Sequence, residues 1–347
     1  MRPGGSIGAQ CAAAAHGALS ACRPSRGWEI RREPVGRFPT GTDRGGGGLV
    51  EVPEQPIELE TADGEHLVGT LFGRLGGDGG EVPDVGVGPV VLLPALGTPA
   101  RVYAEAAAEL AGCGIPAVTI DLRGTGRSKP PPARGRDWGF DAHLRGDLPA
   151  LQAWLEHCGA TSPVWAGHSY GGHLAAAHLA QRPQSGRALL LLATSDIGFR
   201  HWGTGAAPIL AVTQFFALVS VLCGYFPGRR LGFGRPAARQ VILDWARWAR
   251  SGRFRGSDGA DFQPSLAALR KPVLSISFAD DRRMARRSAV DAFAARLEGC
   301  EVERWHLEPS EIGRERVGHF GFLSAARPLW ERVADWLRAH AAPAERG

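Results

Sequence analysis

One stretch of this sequence has the residue types and spacing for nucleophilic catalysis. Ser169 lies in VWAGHSYGGHLAAA (164–177), between Gly167 and Gly171. A serine hydroxyl is a weak nucleophile, so it needs a histidine base, an acid that orients the histidine, and N–H donors for the oxyanion. A set of this kind transfers an acyl group through a covalent acyl-enzyme. The question is whether the chain supplies every member.

The context of Ser169 separates it from a chance match to the pattern G-x-S-x-G. The same pattern occurs at 4–8 (GGSIG), but no apolar strand precedes it and no helical pattern follows. At Ser169 the apolar run VWAGH precedes and GHLAAAHLA follows, as in a strand–turn–helix elbow. Gly167 and Gly171 are small enough for strand and helix to approach each other there. We predict that Ser169 is the nucleophile and that these two are elbow glycines.

The base is expected in a loop near the end of the chain. His319 lies between glycines in VGHFGF (317–322), after the last strand candidate, EVERWHL (301–307). The competing His306 alternates within that strand candidate, and His340 lies in a terminal helix. A loop can aim an imidazole at the carboxyl edge of a parallel sheet, so we predict His319 as the base.

The orienting acid is expected in SFADDRRMA (277–285), directly after a strand candidate. Asp280 and Asp281 are adjacent there, and either could perform the role. Asp281 stands three residues before the apolar Met284, so we prefer it to Asp280. Asp196, just after the preceding strand candidate, is a lesser alternative, and one aspartate of the pair could instead cap a helix.

Two backbone N–H groups are needed to hold the oxyanion. The residue after the nucleophile, Tyr170, supplies one. The loop PALGT (94–98), after an earlier strand candidate, is expected to supply the other, and we predict the amide of Leu96.

The elements that must position these residues form an alternating pattern. IELETADGEHLVGTLF (57–72) predicts a hairpin that turns at Asp63-Gly64. Short apolar runs then alternate with helical patterns, which predicts a mostly parallel sheet with helices on both faces. The runs are VVLLP (90–94), AVTID (117–121), VWAGH (164–168), ALLLLAT (188–194) and VLSISF (273–278).

Taken together, these motifs resemble the α/β-hydrolase superfamily from about residue 55 to the end. DLRGTGRS (121–128) is similar to its D-x-R-G-x-G-x-S turn, and GHSYGG, the Asp-Asp loop and GHFGF follow in the family's order. More narrowly, PALG, GYFPGRRLGFG, DWARWAR, SFADD and VGHFGF resemble a bacterial group of uncharacterised predicted α/β hydrolases. The resemblance implies the α/β-hydrolase fold with a helical lid inserted between strands 6 and 7. Two departures are Pro94-Ala95, where many relatives carry His-Gly, and Tyr170, where Leu or Met is commoner.

The expected organisation has four parts. Residues 1–50 are a low-complexity extension expected to be disordered; 51–195 and 263–347 form the hydrolase core, and 196–262 form the lid. The lid stretch 201–227 contains no Asp, Glu, Lys or Arg and is long enough to span a bilayer. A span would split one sheet across the membrane, so we predict no transmembrane segment and instead one or two helices that cover or form an apolar pocket.

Charge and cysteine content limit the partners. The net charge is +5, but residues 1–50 contain seven arginines and only three acidic residues, so the body is nearly neutral and no nucleic-acid partner is expected. The six cysteines show no C-x-x-C and no paired histidine spacing, so we expect no zinc site, reduced thiols and a cytoplasmic location. The sequence has no glycine-rich phosphate loop and no metal-ligand cluster, so we expect no cofactor and no metal. LSAC, from Leu19 to Cys22, resembles a lipoprotein cleavage box and is the minor alternative.

The function predicted from these features is hydrolysis of a small-molecule carboxylic ester by a serine hydrolase. An amidase or aminopeptidase uses the same triad, and Asp244, Asp258 and Asp261 leave a site for a free amine open. An acyltransferase and a noncatalytic ligand-binding protein on the same fold are further alternatives. The lid could also mediate a homodimer or touch a membrane surface.

Overall fold

The structure is a computed structural model that describes residues 52–75, 87–160, 162–324 and 326–341. The predictions for residues 1–50, including GGSIG and the segment from Leu19 to Cys22, lie outside these residues.

One eight-stranded sheet organises the described chain, with the strand order β1-β2-β4-β3-β5-β6-β7-β8. The strands are β1 (Glu54–Glu60), β2 (His66–Phe72), β3 (Val90–Leu93), β4 (Ala117–Asp121), β5 (Val164–His168), β6 (Ala188–Leu192), β7 (Val273–Phe278) and β8 (Val302–Leu307). β1 and β2 form the predicted hairpin, β2 pairs antiparallel with β4, and every other pairing is parallel. The predicted mostly parallel sheet is confirmed.

Helices cover both faces of this sheet. They are α1 (Ala104–Gly112), α2 (Phe140–Ala142), α3 (Leu148–His157), α4 (Tyr170–Gln181), α5 (Ala206–Cys223), α6 (Arg239–Ser251), α7 (Gln263–Ala268), α8 (Arg287–Ala294) and α9 (Arg327–His340). A single π-helical stretch, His143–Asp147, joins α2 to α3.

The core has two parts, one on each face of the sheet. Along β3, Val91 and Leu93 point into the part that contains α3 and α4, whereas Val90 and Leu92 point into the part that contains α1 and α9. Successive side chains of a strand alternate between faces, so a strand buried on both must be apolar throughout. This explains why the parallel strands read as continuous apolar runs.

A helical insertion, residues 193–272, which includes α5 to α7, separates β6 from β7 along the chain. The insertion contacts two loops at the carboxyl edge of the sheet. The Arg235 N–H donates to the Gly97 carbonyl at 3.1 Å, in the loop after β3. Ser288 Oγ donates to the His201 carbonyl at 2.8 Å, and the Arg286 guanidinium donates to the Trp202 carbonyl, beyond β7. The insertion therefore reaches from the loop after β3 to the chain segment after β7.

The segment Phe199–Cys223, which includes α5, is long and apolar enough to cross a membrane, with a mean hydropathy of 2.1. β6 and β7, which flank the insertion, pair directly with each other in one sheet. A helix that crossed a bilayer once would put these strands on opposite sides of it, whereas they are neighbours in this sheet.

The orientation of α5 corrects one expectation from the sequence. Phe216 packs inside the insertion, in a cluster with Phe226 and Ile242, rather than on the sheet. The opposite face of α5, with Phe215, Leu218 and Leu222, is exposed. The expectation that this stretch covers or forms an apolar pocket is therefore wrong for most of its apolar side chains.

Candidate active site

The turn at Ser169 is a strained strand-to-helix elbow. β5 ends at His168, α4 begins at Tyr170, and Ser169 between them has φ 53° and ψ −114°. Among the described residues other than glycine, only Ser169 and Ala193 have positive φ. Such a conformation costs about 1–3 kcal/mol and persists where its surroundings enforce it. The strain lies at the residue that sequence reasoning selected as nucleophile.

Both flanking glycines are required by close backbone contacts. A Cβ on Gly167 would lie 2.2 Å from the carbonyl carbon of Gly171, and a Cβ on Gly171 would lie 2.2 Å from the carbonyl oxygen of Leu93. Real Cβ atoms do not approach backbone so closely, so each substitution would force strand and helix apart. The same contacts hold the start of α4 against the loop after β3.

His319 and Asp281 form a buried pair. Nδ1 of His319 lies 2.5 Å from Oδ2 of Asp281, and the two residues are only 8% and 4% exposed. Because the carboxylate only accepts hydrogen bonds, Nδ1 carries the proton and Nε2 is left as the basic nitrogen. Nε2 is buried and has no hydrogen-bond partner among the described residues. The imidazole is thus oriented on one side and free on the other.

Ser169 lies beside this pair without a hydrogen bond to it. The ring of His168, the residue before Ser169, packs on the ring of His319 with centroids 4.5 Å apart. The structure therefore brings Asp281 and His319 into contact and places His168, the residue before Ser169, against the imidazole. A nucleophile–base hydrogen bond is commonly longer in an unliganded enzyme than in the complex.

The other two candidate carboxylates have different partners. Asp280 accepts hydrogen bonds from the backbone N–H groups of Val317 (2.8 Å) and Gly318 (2.9 Å), directly before His319. Asp196 is buried, accepts from Arg296 Nε at 2.5 Å, and accepts from the Gly198 N–H. Of the three carboxylates, only Asp281 contacts the imidazole, and Asp280 fixes the loop that carries it.

The two amides selected for the oxyanion are both available within the described chain. The Ala95 N–H donates to the Tyr103 hydroxyl at 2.8 Å, whereas the Leu96 N–H next to it has no acceptor among the described residues. Tyr170 is the first residue of α4, where an N–H has no acceptor within the helix and the helix dipole favours negative charge.

Comparison with known proteins places this geometry in a family. The model of the alpha/beta hydrolase family matches residues 90–332. The chain belongs to the α/β hydrolase family. A comparison with curated protein sequences finds no match.

Solved structures support the fold of this hydrolase. The esterase Pf2001 of Pyrococcus furiosus is similar with a TM-score of 0.53 and 15% identity, over 89% of this chain and 100% of that one. An esterase of Thermogutta terrifontis, solved with malate bound, has a TM-score of 0.54 and 17% identity, over 83% and 100%. The esterase EaEST of Exiguobacterium antarcticum has a TM-score of 0.52 and 15% identity, over 81% and 98%.

The hydrolase also has a series of hydrogen bonds near Ser169 that sequence reasoning missed. The Tyr103 hydroxyl accepts from the Ala95 N–H and forms a hydrogen bond with Nδ1 of His168 at 2.8 Å. Burial, and then the proximity of His319, hold the pKa of His168 well below its usual value, so this imidazole is neutral. These hydrogen bonds connect the loop after β3 to the end of β5. Tyr103 is part of no recognisable motif, so the sequence contained no signal for it.

The D-x-R-G-x-G-x-S turn holds the segments around the site in place through hydrogen bonds and ion pairs. Asp121 Oδ1 accepts from the Ala100 N–H at 2.6 Å, which fixes the chain beyond the oxyanion loop. Arg123 donates to Asp147 and to Asp63, each at 2.6 Å. The Arg123 guanidinium lowers the pKa of Asp63 to about 2. This turn therefore has a structural role in the hydrolase.

A narrow cleft opens beside the two candidate oxyanion amides, with a cavity volume of only about 20 Å³. Its walls come from the loop after β3, the 122–143 segment, Tyr170 and the insertion. Most are apolar: Pro94, Ala95, Leu96, Leu122, Pro132, Trp138, Pro236, Ala237, Ala238 and Val241. α6 and the residues before it thus contribute to the cleft, and α5 does not.

Proposed function

We propose that this α/β hydrolase is a serine hydrolase that cleaves a carboxylic ester through an acyl-enzyme. The observation that carries the proposal is His319, bound through Nδ1 to Asp281 and free at Nε2, beside a serine in a strained elbow. A base so arranged can accept a proton at one defined atom. The family match and the esterases among the similar structures agree with this chemistry.

In the proposed reaction, Ser169 Oγ attacks the ester carbonyl carbon while His319 Nε2 takes the hydroxyl proton. Asp281 stabilises the resulting imidazolium, and the N–H groups of Tyr170 and Leu96 hold the oxyanion. The intermediate collapses as the imidazolium protonates the departing alcohol, which leaves an acyl-enzyme. Water, deprotonated by the same imidazole, then attacks the acyl carbon, releases the carboxylic acid and restores Ser169.

The acidic residues of the insertion favour an ester over a substrate with a free amine. Asp244 accepts from Arg247 at 2.7 Å and from Ser257, and it is almost fully buried. Asp258 pairs with Arg145, and Asp261 pairs with Arg255. Because each carboxylate already has a cationic partner in the protein, none of the three is left to bind a substrate ammonium group.

The cleft beside the oxyanion amides supports a small acyl group. Its walls are mostly apolar, and Tyr170 is one of the residues that line it. The hydrogen bond between Arg235 and Gly97 ties the insertion to the oxyanion loop across it. We therefore expect acetyl and butyryl esters to react faster than octanoyl esters.

The cysteines of the described chain agree with the proposed cytoplasmic location. Within that part of the chain, no disulfide forms at Cys113, Cys158, Cys223 or Cys300. Thiols persist in a reducing compartment.

The test is steady-state hydrolysis of nitrophenyl acetate, butyrate and octanoate by the wild type, Ser169→Ala and the control Ser310→Ala. We expect Ser169→Ala to lose at least about 10³-fold in kcat/KM, with Ser310→Ala unchanged. Activity that survives Ser169→Ala would rule out the proposed nucleophile. Equal rates for the acetate and the octanoate would contradict the small acyl site.

A further inference from the structure

The outward face of α5 is a continuous apolar stripe. Phe215, Leu218 and Leu222 are 50%, 57% and 66% exposed, and Val212 and Val221 lie beside them, also exposed. Spacings of three and four residues put these side chains on one side of a helix, and an 18-residue helix is about 27 Å long. A surface of this kind is unusual for a protein that remains free in solution.

The inward face of the same helix is partly polar. Thr213 and Ser220 are fully buried, and their hydroxyl groups donate to carbonyls within α5 itself. α5 therefore presents most of its apolar side chains to the outside. Burial within the described chain therefore does not explain why these exposed side chains are apolar.

The charges in the chain segment that contains α5 are all of one sign. Residues 197–243 contain five arginines and no Asp, Glu or Lys. Arg200 precedes α5 and Arg229 and Arg230 follow it; all three are exposed, and none forms an ion pair within the described residues. An apolar stripe with cationic residues at both ends is complementary to an interface that has an apolar interior and a negatively charged outer layer.

We propose that the outward face of α5 docks on an anionic lipid membrane surface. α5 lies in the plane of the interface with its stripe among the upper acyl chains, and Arg200, Arg229 and Arg230 contact lipid phosphates. The insertion contacts the loops that carry the oxyanion amide and Asp281. The docking helix therefore belongs to the same insertion that contacts both of these loops.

The charges favour lipid over a second copy of this chain. A two-fold pairing of α5 helices in opposite directions would bring Arg200 of one copy toward Arg229 and Arg230 of the other, and like charges would oppose the contact. Phosphate groups neutralise the same arginines. The proposal does not depend on ester hydrolysis, because it concerns a surface and not the catalytic residues.

The test is flotation of the full chain with vesicles of phosphatidylcholine alone and of phosphatidylcholine with phosphatidylglycerol. The variants are Leu218→Ser with Leu222→Ser, and Arg229→Gln with Arg230→Gln. The controls are Val102→Ser, which is a similarly exposed apolar residue outside α5, and Arg270→Gln with Lys271→Gln just before β7. We expect wild type to float with anionic vesicles, each double variant to bind at least about tenfold more weakly, and both controls to match wild type.

Three results would overturn the proposal. The wild type fails to bind anionic vesicles; or the double variants bind as the controls do; or light scattering shows a dimer in solution that Leu218→Ser with Leu222→Ser dissociates. Flotation of Ser169→Ala, which should equal wild type, separates this result from the catalytic proposal, because loss of catalysis leaves binding unchanged.

Discussion

The adjacent aspartates Asp280 and Asp281 allow one experiment that separates orientation of the imidazole from support of its loop. Asp281 uses one carboxylate oxygen for His319 Nδ1 and the other for the Met284 N–H, at 3.2 Å. An asparagine at position 281 has only one acceptor oxygen. If that oxygen serves Met284, the amide NH₂ faces Nδ1 and forces the histidine proton onto Nε2, where it blocks the base.

The expected loss for Asp281→Asn follows from this tautomer. In serine hydrolases the wrong tautomer lowers kcat by about 10⁴-fold, which corresponds to about 5 kcal/mol of transition-state stabilisation. Asp280→Asn removes one of two hydrogen bonds to the loop at Val317 and Gly318, which costs about 1–3 kcal/mol of stability. Its effect on kcat comes only from displacement of His319 and should stay within about 10²-fold.

The assay is kcat on nitrophenyl acetate together with urea denaturation of both variants. We expect Asp281→Asn to lose activity with little loss of stability, and Asp280→Asn to lose stability with a smaller loss of activity. If Asp281→Asn retained kcat within tenfold of the wild type while Asp280→Asn lost 10⁴-fold, the assignment of the acid would be wrong.

Three further predictions concern the elbow, a buried histidine and the cleft. Gly167→Ala should cost at least about 1–3 kcal/mol and abolish activity, because its Cβ would meet the Gly171 backbone, whereas Gly112→Ala, where a Cβ meets open space, should be neutral in urea denaturation. Burial lowers the pKa of His173 to about 4, below that of the unfolded residue near 6.5. The free energy of unfolding should therefore fall by about 3 kcal/mol through this group as the pH drops from 6.5 to 4. A His173→Gln variant with the same pH dependence of stability as the wild type would refute this. The buried Tyr170 hydroxyl has no partner among the described residues, so Tyr170→Phe should leave the free energy of unfolding unchanged or raise it by about 1 kcal/mol, and a loss above about 2 kcal/mol would reveal a partner.

The fold could be predicted from the sequence because its signals are local. Strands buried on both faces must be apolar throughout, and the turn at Asp63-Gly64 has glycine at φ 80°. The elbow could be located for the same reason, since strand, glycines and helix are contiguous around Ser169. The predicted fold class is confirmed, and the proposed roles of the site residues await the experiments above.

The sequence could not predict contacts between distant segments or which side of α5 faces the solvent. The link from Ala95 through Tyr103 to His168 depends on three elements that meet only in the folded chain. The contacts of Asp280 and Asp281 could not be assigned from the sequence, because the two residues are adjacent and differ only in where their side chains point. The structure shows Asp280 bound to the loop at Val317 and Asp281 bound to His319. α5 is apolar on nearly every side, so no periodicity indicated which face lies outward.

The central claim is that Ser169 is a nucleophile activated by His319, and labelling by a fluorophosphonate probe tests it most directly. Intact mass would be measured for the wild type, Ser169→Ala and His319→Ala after equal exposure. The account predicts one adduct on the wild type, none on Ser169→Ala and much slower labelling of His319→Ala. Labelling of Ser169→Ala at the wild-type rate, or no labelling of folded wild-type protein, would contradict it.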